Sequence, residues 1–346
     1  MLLKINLSST WEGRLIGFAA RVRGIYATAL TKILLDGGFE IAQPSSDVAT
    51  RFSLKNSLMH FELDIRDRTD RQGVESLGLL DAQESFRALI RERLNDAIVR
   101  VRSSTIPESH AMDIELPSDS KKTLDEIRIN IAPTVRRHHY LKACGGAVSA
   151  SVDMAESLLG RGYNPQKVER TLKETIESEF PLEDDPLRIE RVNLDGEITC
   201  STGTILSLEE TRLEVRIGEV PLGLKRSLGI AEVCDYAIVT TDPQRWLVDV
   251  SCYSKSQRVQ GRMIYLATPP ELYPYGSQPQ LHPELSPLPS IRWIDLGVEA
   301  ISRQNGQLEV TGLDRLIEYE RRVMITEALV KTAKEKLDEA LGSLRG

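Results

Sequence analysis

Residues 181–186 read Pro-Leu-Glu-Asp-Asp-Pro and divide the sequence into two halves of different character. The stretch is acidic and bounded by prolines, which is typical of a linker between domains. A chain of 346 residues is also longer than one hydrophobic core usually reaches, so two domains are the first expectation. We therefore place a domain boundary at this stretch and examine the sequence on each side of it.

On the amino-terminal side of the linker, short apolar runs alternate with helical patterns. Apolar residues over 25–34 are helically spaced, and the strand pattern at 73–79 precedes an amphipathic helix over 81–94. These patterns predict an α/β domain of short elements over residues 1–145. A helical connector that ends in the acidic linker is predicted over residues 146–186.

On the carboxyl-terminal side, the sequence contains seven short strand patterns, and some of its turns read Asp-Gly or Asn-Gly. Many short strands at this spacing indicate a small barrel or a curled sheet. Residues 312–344 then form one or two helices. The prediction for residues 187–346 is a small β-barrel with terminal helices, and the fold class of the whole chain is α+β.

The composition is that of an ordinary globular protein, with 41% hydrophobic and 27% charged residues. No apolar stretch approaches the roughly 18 residues that a membrane-spanning helix needs. We expect no signal peptide, no membrane partner and a cytoplasmic location. The four cysteines form no C-x-x-C pair and have no histidine at metal-ligand spacing, which indicates free thiols.

The net charge of −7 is distributed unevenly. Residues 1–150 carry 21 basic and 19 acidic side chains, whereas residues 151–346 carry 23 basic and 32 acidic ones. A site for a polyanion is therefore expected in the first half.

Two windows in that half, 14–32 and 127–152, contain basic residues and no acidic ones. Basic side chains bind phosphates, and an aromatic ring beside them can stack on an unpaired base. We expect both windows to converge into one cradle for the sugar-phosphate chain of RNA. The alternative is a solvated basic surface that pairs with the acidic second half. The candidate RNA-binding residues are Arg21, Arg23, Tyr26, Arg136, Arg137 and Tyr140.

The second window also contains the densest group of reactive side chains, His138, His139 and Lys142. A histidine can take a proton from a 2′-hydroxyl, and a lysine can stabilise the charge that develops on phosphorus. On a strand, His138 and Lys142 would share one face with Tyr140, and His139 would face the other way. His138, His139 and Lys142 are the candidate catalytic residues. The alternatives are a phosphate-binding turn without catalysis and a packed histidine.

Two carboxylates in the second half form a candidate metal site. Asp295 and Glu299 lie four residues apart, which places them on one face of a strand. Mg²⁺ is commonly held by one or two carboxylates together with substrate phosphates. A bound Mg²⁺ is therefore an expectation, and a pair of solvent-facing carboxylates is the alternative.

Several motifs make the sequence resemble a known family. Residues 22–32 read Val-Arg-Gly-Ile-Tyr-Ala-Thr-Ala-Leu-Thr-Lys, and His138 begins a His-His-Tyr-Leu-Lys segment. Further segments follow in the same order as in the family, namely 67–74, 155–159, 235–238, 268–274 and 291–296. The sequence resembles an archaeal family of AU-rich-RNA-binding proteins that is regarded as ribonuclease E/G-like.

The resemblance implies binding to AU-rich single-stranded loops and an endoribonuclease role in maturation or turnover of precursor ribosomal RNA. It also implies a carboxyl-terminal barrel like that of Mg²⁺-dependent nucleoside di- and triphosphate phosphohydrolases. There are two alternatives: a nucleotide phosphohydrolase, which the barrel resemblance implies, and an RNA-binding protein without catalysis, which the low aromatic content of 5% favours. A histidine mechanism and a Mg²⁺ mechanism both stay open.

The sequence departs from the family pattern at three places. Glu299 stands where relatives usually carry Asp, and Tyr265 stands where they carry Asn. The longer members insert a small β-barrel RNA-binding module before the His-His-Tyr segment, and residues 103–127 are too few to form one. RNA binding is therefore expected to depend on the two basic windows.

Overall fold

The computed structural model describes residues 17–55, 59–209, 212–220, 234–242, 245–276, 288–303 and 308–345. Within these ranges the chain is a mixed α+β protein with two sheets, which confirms the predicted fold class. None of the helices in the described ranges has the length and apolarity that crossing a bilayer requires.

The amino-terminal half is built around a six-stranded sheet with the strand order β2-β1-β3-β4-β6-β5. Strand β1 runs parallel to β2 and β3, and the other neighbours are antiparallel. The main core packs apolar side chains of the sheet against α1, α3 and α4. Its elements are β1 (Ala19–Val22), α1 (Ala27–Asp36), β2 (Glu40–Ile41), α2 (Ser46–Phe52), β3 (Leu63–Asp67), β4 (Gly73–Gly78), α3 (Leu80–Arg93), β5 (Ile98–Arg102), β6 (His110–Glu115) and α4 (Ser118–Ile129).

Strand β6 and helix α4 occupy most of the interval 103–127, where the sequence patterns indicated no element. Strand β6 lies between β4 and β5, and Asp113 and Glu115 on it are buried. These acids alternate with the buried apolar residues Met112, Ile114 and Leu116, which is the period of a strand, but acids are rarely found on a buried face. They are tolerated here because Arg68 and Arg100 pair with them.

Three helices connect the two halves: α5 (His138–Cys144), α6 (Gly146–Gly160) and α7 (Pro165–Ile176). A single 3₁₀ turn, Glu177–Glu179, follows α7. The side chain of Asn164 caps α7 by accepting the backbone N–H of Lys167 at 3.1 Å. The three helices share an apolar core with Tyr273 of the carboxyl-terminal half.

The carboxyl-terminal half contains a closed barrel, as predicted. Seven strands form the ring β7-β8-β9-β10-β11-β12-β14, and the parallel pair β14–β7 completes it. The elements are β7 (Pro186–Val192), β8 (Ile198–Glu209), β9 (Arg212–Ile217), β10 (Tyr236–Thr241), β11 (Leu247–Tyr253), β12 (Val259–Ala267), β13 (Glu271–Tyr273), β14 (Ser290–Arg303), β15 (Leu308–Thr311), α8 (Leu313–Arg321) and α9 (Glu327–Arg345).

Charged side chains join the two halves in a buried interface. Glu115 of β6 lies 2.5 Å from a guanidinium nitrogen of Arg292 of β14 and 2.6 Å from one of Arg100. Burial alone would raise the pKa of Glu115, but the charges of Arg292, Arg100 and Arg68 hold it well below its usual range. The halves therefore pack as one unit through ion pairs that lie out of reach of solvent.

Candidate functional site: the helix α5 region and the cleft between the halves

The two acid-free windows meet at a stack between Tyr26 and His139. Tyr26 lies in the turn between β1 and α1, and His139 is the second residue of α5. Their ring centroids are 5.2 Å apart, and the angle between the rings is 5°. Both side chains are fully buried, and the Tyr26 hydroxyl donates to the carbonyl oxygen of Arg71 at 2.8 Å. The windows thus touch inside the protein and not on its surface.

His139 is held by Asp125, which lies on α4 just before the second window. Oδ1 of Asp125 accepts the backbone N–H of His139 at 2.9 Å and lies 2.6 Å from ring atom Nδ1. Burial lowers the pKa of His139 to about 4, although the hydrogen bond with Asp125 opposes this shift. The ring is therefore neutral near pH 7, and its buried Nε2 has no hydrogen-bond partner among the described residues.

His138 is held by Glu156 of α6 in a similar way. Its Nδ1 lies 2.7 Å from Glu156 Oε1, and the other carboxylate oxygen accepts from Arg128 at 2.7 Å. Burial lowers the pKa of His138, and Glu156 counteracts part of that shift. Arg128 thus neutralises the carboxylate while the imidazole stays uncharged.

Helix α5 contradicts the strand alternative for residues 138–142. The segment is helical, with Arg137 before it in a left-handed conformation at φ 59°. Lys142 contacts both carboxylate oxygens of Asp153 at 2.8 Å. Each of the three candidate catalytic residues therefore already has a carboxylate partner, and protein atoms cover both imidazoles. Proton transfer to RNA by either histidine requires α5 to move.

The structure does not bring Arg21 and Arg23 to the second window. Arg21 pairs with Asp64 at 2.7 Å and lies over the ring of Phe61, 4.1 Å from its centroid. Arg23 donates to the carbonyl oxygen of Gln43 at 2.6 Å. Side chains alternate along β1, so both arginines lie on the face of the sheet opposite the core that contains α1. A single cradle that includes these two residues is not present.

The rings of Tyr26 and Tyr140 offer no free surface to a base. Tyr140 is buried, and its hydroxyl donates to the carbonyl oxygen of Leu272, which fastens α5 to β13. Tyr26 is enclosed by the stack with His139. The expected base-stacking role of these two tyrosines is therefore not available in this structure, because a buried ring has no face exposed to RNA.

A cleft of about 580 Å³ opens beside α5, between the two halves of the chain. Helices α4, α5 and α7 form one wall, and strands β8, β9 and β13 form the other. Its floor is mainly apolar, and a cleft of this size and character is typical of ligand-binding sites. The apolar lining side chains are Tyr140, Leu141, Ile176, Phe180, Leu208, Leu213, Pro270, Leu272 and Ile291.

Basic side chains stand at the edge of this cleft. The guanidinium of Arg137 lies over the ring of Tyr140, 4.1 Å from its centroid. Within the described part of the chain, neither Arg137 nor Lys173 has a carboxylate partner, whereas Lys122 pairs with Asp119. Arg136 is exposed next to Arg137. The unpaired cations of the second window are thus Arg136 and Arg137, which were both predicted RNA-binding residues.

Asp67 at the end of β3 is a candidate group that the sequence patterns did not single out. Its Oδ2 accepts the backbone N–H of Ile25 at 2.8 Å, while its Oδ1 is buried without a partner among the described residues. Burial raises the pKa of Asp67 to about 6, and the charges of Arg71 and Lys142 counteract this only in part. A carboxyl group that titrates near neutral pH beside two cations is typical of functional sites. The only signal in the sequence was its place in the motif at 67–74.

The candidate metal residues Asp295 and Glu299 both bind Arg191. A guanidinium nitrogen of Arg191 lies 2.5 Å from Asp295 and 3.1 Å from Glu299, beside a cleft of about 490 Å³. Burial raises the pKa of Glu299, although Arg191 opposes this shift. Among the residues that the structure describes, no group of three or more His, Cys, Asp or Glu is placed to hold a metal ion. The donor set therefore does not fit Mg²⁺, because a guanidinium takes the place between the carboxylates.

Comparison with known proteins identifies archaeal relatives along nearly the whole chain. A protein of Thermococcus kodakarensis named probable ribonuclease FAU-1 is 22% identical over 468 aligned positions, which cover 90% of this chain and 95% of that protein. The chain is similar to these archaeal proteins over most of its length. The FAU-1 protein of Pyrococcus horikoshii is also 22% identical, with 93% and 97% coverage. That of Pyrobaculum arsenaticum is 37% identical over 86 residues, a quarter of this chain.

These matches confirm the family resemblance. The alignments are longer than the 346 residues of this chain, so the FAU-1 relatives carry additional segments that it lacks. No protein-family model matches the sequence. Among solved structures, a phosphatase with a non-hydrolysable nucleotide has a TM-score of 0.36 at 9% identity, covering 48% of this chain and 84% of that one. FomD with CDP has a TM-score of 0.34 at 6% identity, with 47% and 85% coverage.

Proposed function

We propose that this protein is a ribonuclease that cleaves RNA internally, and that its RNA strand lies in the cleft between the two halves. The relatives that match most of the chain are named probable ribonuclease FAU-1, which supports a hydrolase that acts on RNA. An acidic protein that binds RNA needs local cations, and four basic side chains line the cleft together with the three carboxylates Glu177, Glu209 and Glu271.

The observation that carries the proposal is the pair of cations at this cleft, Arg137 and Lys173, which have no carboxylate partners among the described residues. The half-buried side chains of the floor, Phe180, Leu208 and Leu272, can accept the face of a nucleobase, while a guanidinium and an ammonium at the edge bind the phosphates on either side of it. A cleft of about 580 Å³ has room for one or two unpaired nucleotides and not for a duplex. The substrate class that fits is therefore a single-stranded segment, such as the AU-rich loops of ribosomal precursors that the family resemblance implies.

Two mechanisms of cleavage remain proposals. In the first, His138 or His139 acts as the general acid or base, with Lys142 stabilising the charge on phosphorus, after α5 has moved to uncover them. In the second, Asp67 moves the proton, because it is a carboxyl group of raised pKa with Arg71 and Lys142 near it. A Mg²⁺ at Asp295 and Glu299 would supply a polarised water, but the present geometry does not fit it, and we assign no step to it.

The experiment is cleavage of a 5′-labelled AU-rich single-stranded RNA by the purified full chain, with Mg²⁺ and with chelator, followed by end-group analysis. A 2′,3′-cyclic phosphate that forms in chelator supports proton transfer by protein side chains, and a 5′-phosphate that forms only with metal supports a metal-bound hydroxide. Persistent cleavage by the double variant His138→Ala, His139→Ala would exclude the histidines. Absence of cleavage under every condition would refute the ribonuclease function.

A second measurement tests the cleft itself. Replacing Arg137 by Ala removes a charge-assisted phosphate contact, for which we expect KM for RNA to rise about tenfold with little change in kcat. The matched control is Arg321→Ala, since Arg321 is an exposed arginine on α8 of the other half. An unchanged KM for Arg137→Ala would exclude the cleft as the RNA site.

A further inference from the structure

An exposed ladder of one guanidinium and two aromatic rings crosses the outside of the barrel. Arg216 of β9 lies over the ring of Tyr236 of β10, with its guanidinium carbon 4.4 Å from the ring centroid. Tyr236 is paired directly with Tyr253 of β11, and the two rings stack at 5.2 Å with an interplanar angle of 6°. We call these three side chains the Arg216–Tyr253 ladder.

The ladder is on the outer surface because its neighbours in sequence point inward. Val215, Ala237 and Cys252 are buried in the barrel core. Side chains alternate along a strand, so the residues next to them face solvent. Arg216 is exposed and the two tyrosines are half-buried. The rings therefore stand on the surface of the sheet with their edges in water.

Cations without acidic partners surround the ladder. The turn 254–258 follows Tyr253 directly and exposes Lys255 and Arg258. None of Arg216, Lys255 and Arg258 has a carboxylate partner in the described ranges. One carboxylate, Asp235, is close, and it accepts the backbone N–H of Lys255 at 2.8 Å. The local balance of charge on this face is positive, although the half that carries it is acidic overall.

A groove of about 790 Å³ adjoins the open side of the ladder. It is lined by Tyr253, Val259 and Ile264 among others. The groove wall carries four carboxylates and three guanidiniums, and each of the guanidiniums is paired, as in Arg262–Asp249, Arg212–Glu214 and Arg245–Asp242. Tyr236 is covered on both faces, by Arg216 and by Tyr253. The other side of Tyr253 adjoins Val259, its exposed cross-strand partner, so a further ring can pack on the surface that Tyr253 and Val259 form together.

We infer that the Arg216–Tyr253 ladder is a second contact for single-stranded RNA, in which one unpaired base stacks on Tyr253 and neighbouring phosphates bind Arg216, Lys255 or Arg258. Stacked aromatic rings combined with cations are the usual elements of surfaces that bind single strands without sequence readout. The inference rests on the proposed function and extends it, because it gives the barrel a role in holding RNA that passes through the cleft.

The test is binding of a fluorescent 15-nucleotide single-stranded RNA to the full chain, measured by anisotropy. Loss of one stacked base costs roughly 1–3 kcal/mol, so we expect Tyr253→Ala to weaken binding about tenfold, while Tyr253→Phe keeps the ring and binds as wild type. Arg216→Gln should reduce the slope of log K against log salt by about 0.7. The matched control is Tyr163→Ala, since Tyr163 is exposed between α6 and α7.

Binding by Tyr253→Ala within twofold of wild type would overturn the inference, and so would equal losses for Tyr253→Ala and Tyr253→Phe. Neither result affects the proposed function, which is judged by cleavage. Cleavage of RNA by Tyr253→Ala at saturating substrate with wild-type kcat supports a role in binding alone. The folded state of each variant is verified by its thermal unfolding midpoint.

Discussion

His139 makes the free energy of unfolding depend on pH, and this dependence can be measured. Its ring is buried against Tyr26 and Asp125, and burial lowers its pKa from an ordinary value of about 6.5 to about 4. Between these two values the unfolded chain binds a proton that the folded chain does not. Stability from this residue is therefore fully present above about pH 6.5 and is lost as the pH falls toward 4.

The magnitude follows from the size of the shift. A difference of about 2.5 pKa units between the folded and unfolded states corresponds to about 3 kcal/mol of unfolding free energy that is lost between pH 7 and pH 4. The variant His139→Gln has no group that titrates in this range at that position. We expect the variant to be less stable than wild type at pH 7, and the difference to shrink by about 3 kcal/mol at pH 4.

The assay is urea unfolding of both proteins at pH 7, 5.5 and 4, with His110→Gln as a control because His110 is exposed on β6. Subtracting the two curves removes the contributions of other titrating groups, which include His138. Identical pH dependence for wild type and His139→Gln would show that His139 is not buried as a neutral ring. The contact between the two basic windows would then be wrong.

Three other perturbations test the remaining contacts. Replacing Arg292 by Met leaves Glu115 with two guanidinium partners instead of three. We expect this variant to lose about 3 kcal/mol of unfolding free energy in urea unfolding. A loss of less than about 1 kcal/mol would mean that the interface ion pairs are solvated. Arg191→Ala removes the guanidinium between Asp295 and Glu299, and we expect the variant to bind Mn²⁺ at least tenfold more tightly than wild type in calorimetric titration. Tight binding of Mn²⁺ to the wild-type protein that Asp295→Asn abolishes would contradict the geometry. Burial raises the pKa of the Asp67 carboxyl to about 6, so its ionised form destabilises the folded state. We therefore expect the free energy of unfolding of Asp67→Asn to increase relative to that of wild type by up to about 3 kcal/mol as the pH rises from 4 to 8. A difference that stays constant with pH would exclude that burial.

The sequence allowed helices α1 and α3 and the barrel to be predicted because their apolar periods are regular. The barrel strands carry alternating buried and exposed residues that end at turn signals, as in Tyr236–Thr241. Strand β6 was not predicted, although Met112, Ile114 and Leu116 alternate with Asp113 and Glu115. Only the tertiary contacts with arginines explain why the acids of this strand are buried as well. Helix α5 was ambiguous because seven residues are too few to distinguish a helical period from alternation.

The acid-free windows were informative for a different reason than the one expected. Asp125, Asp153 and Glu156 lie just outside the second window, and in the folded protein they pair with His139, Lys142 and His138. The absence of acids within the window therefore reflects pairing with acids that flank it. The cleft was not predictable, because its lining comes from eight helices and strands that are spread along the sequence.

Photocrosslinking tests the central claim most directly, which is that RNA lies in the cleft between the two halves. A single-stranded RNA that carries 4-thiouridine is irradiated with the full chain, and crosslinked peptides are identified by mass spectrometry. We predict crosslinks to peptides that contain Arg137 and Lys173, and their loss when unlabelled RNA competes. Crosslinks confined to the sheet face that carries Arg21 and Asp64 would contradict the account.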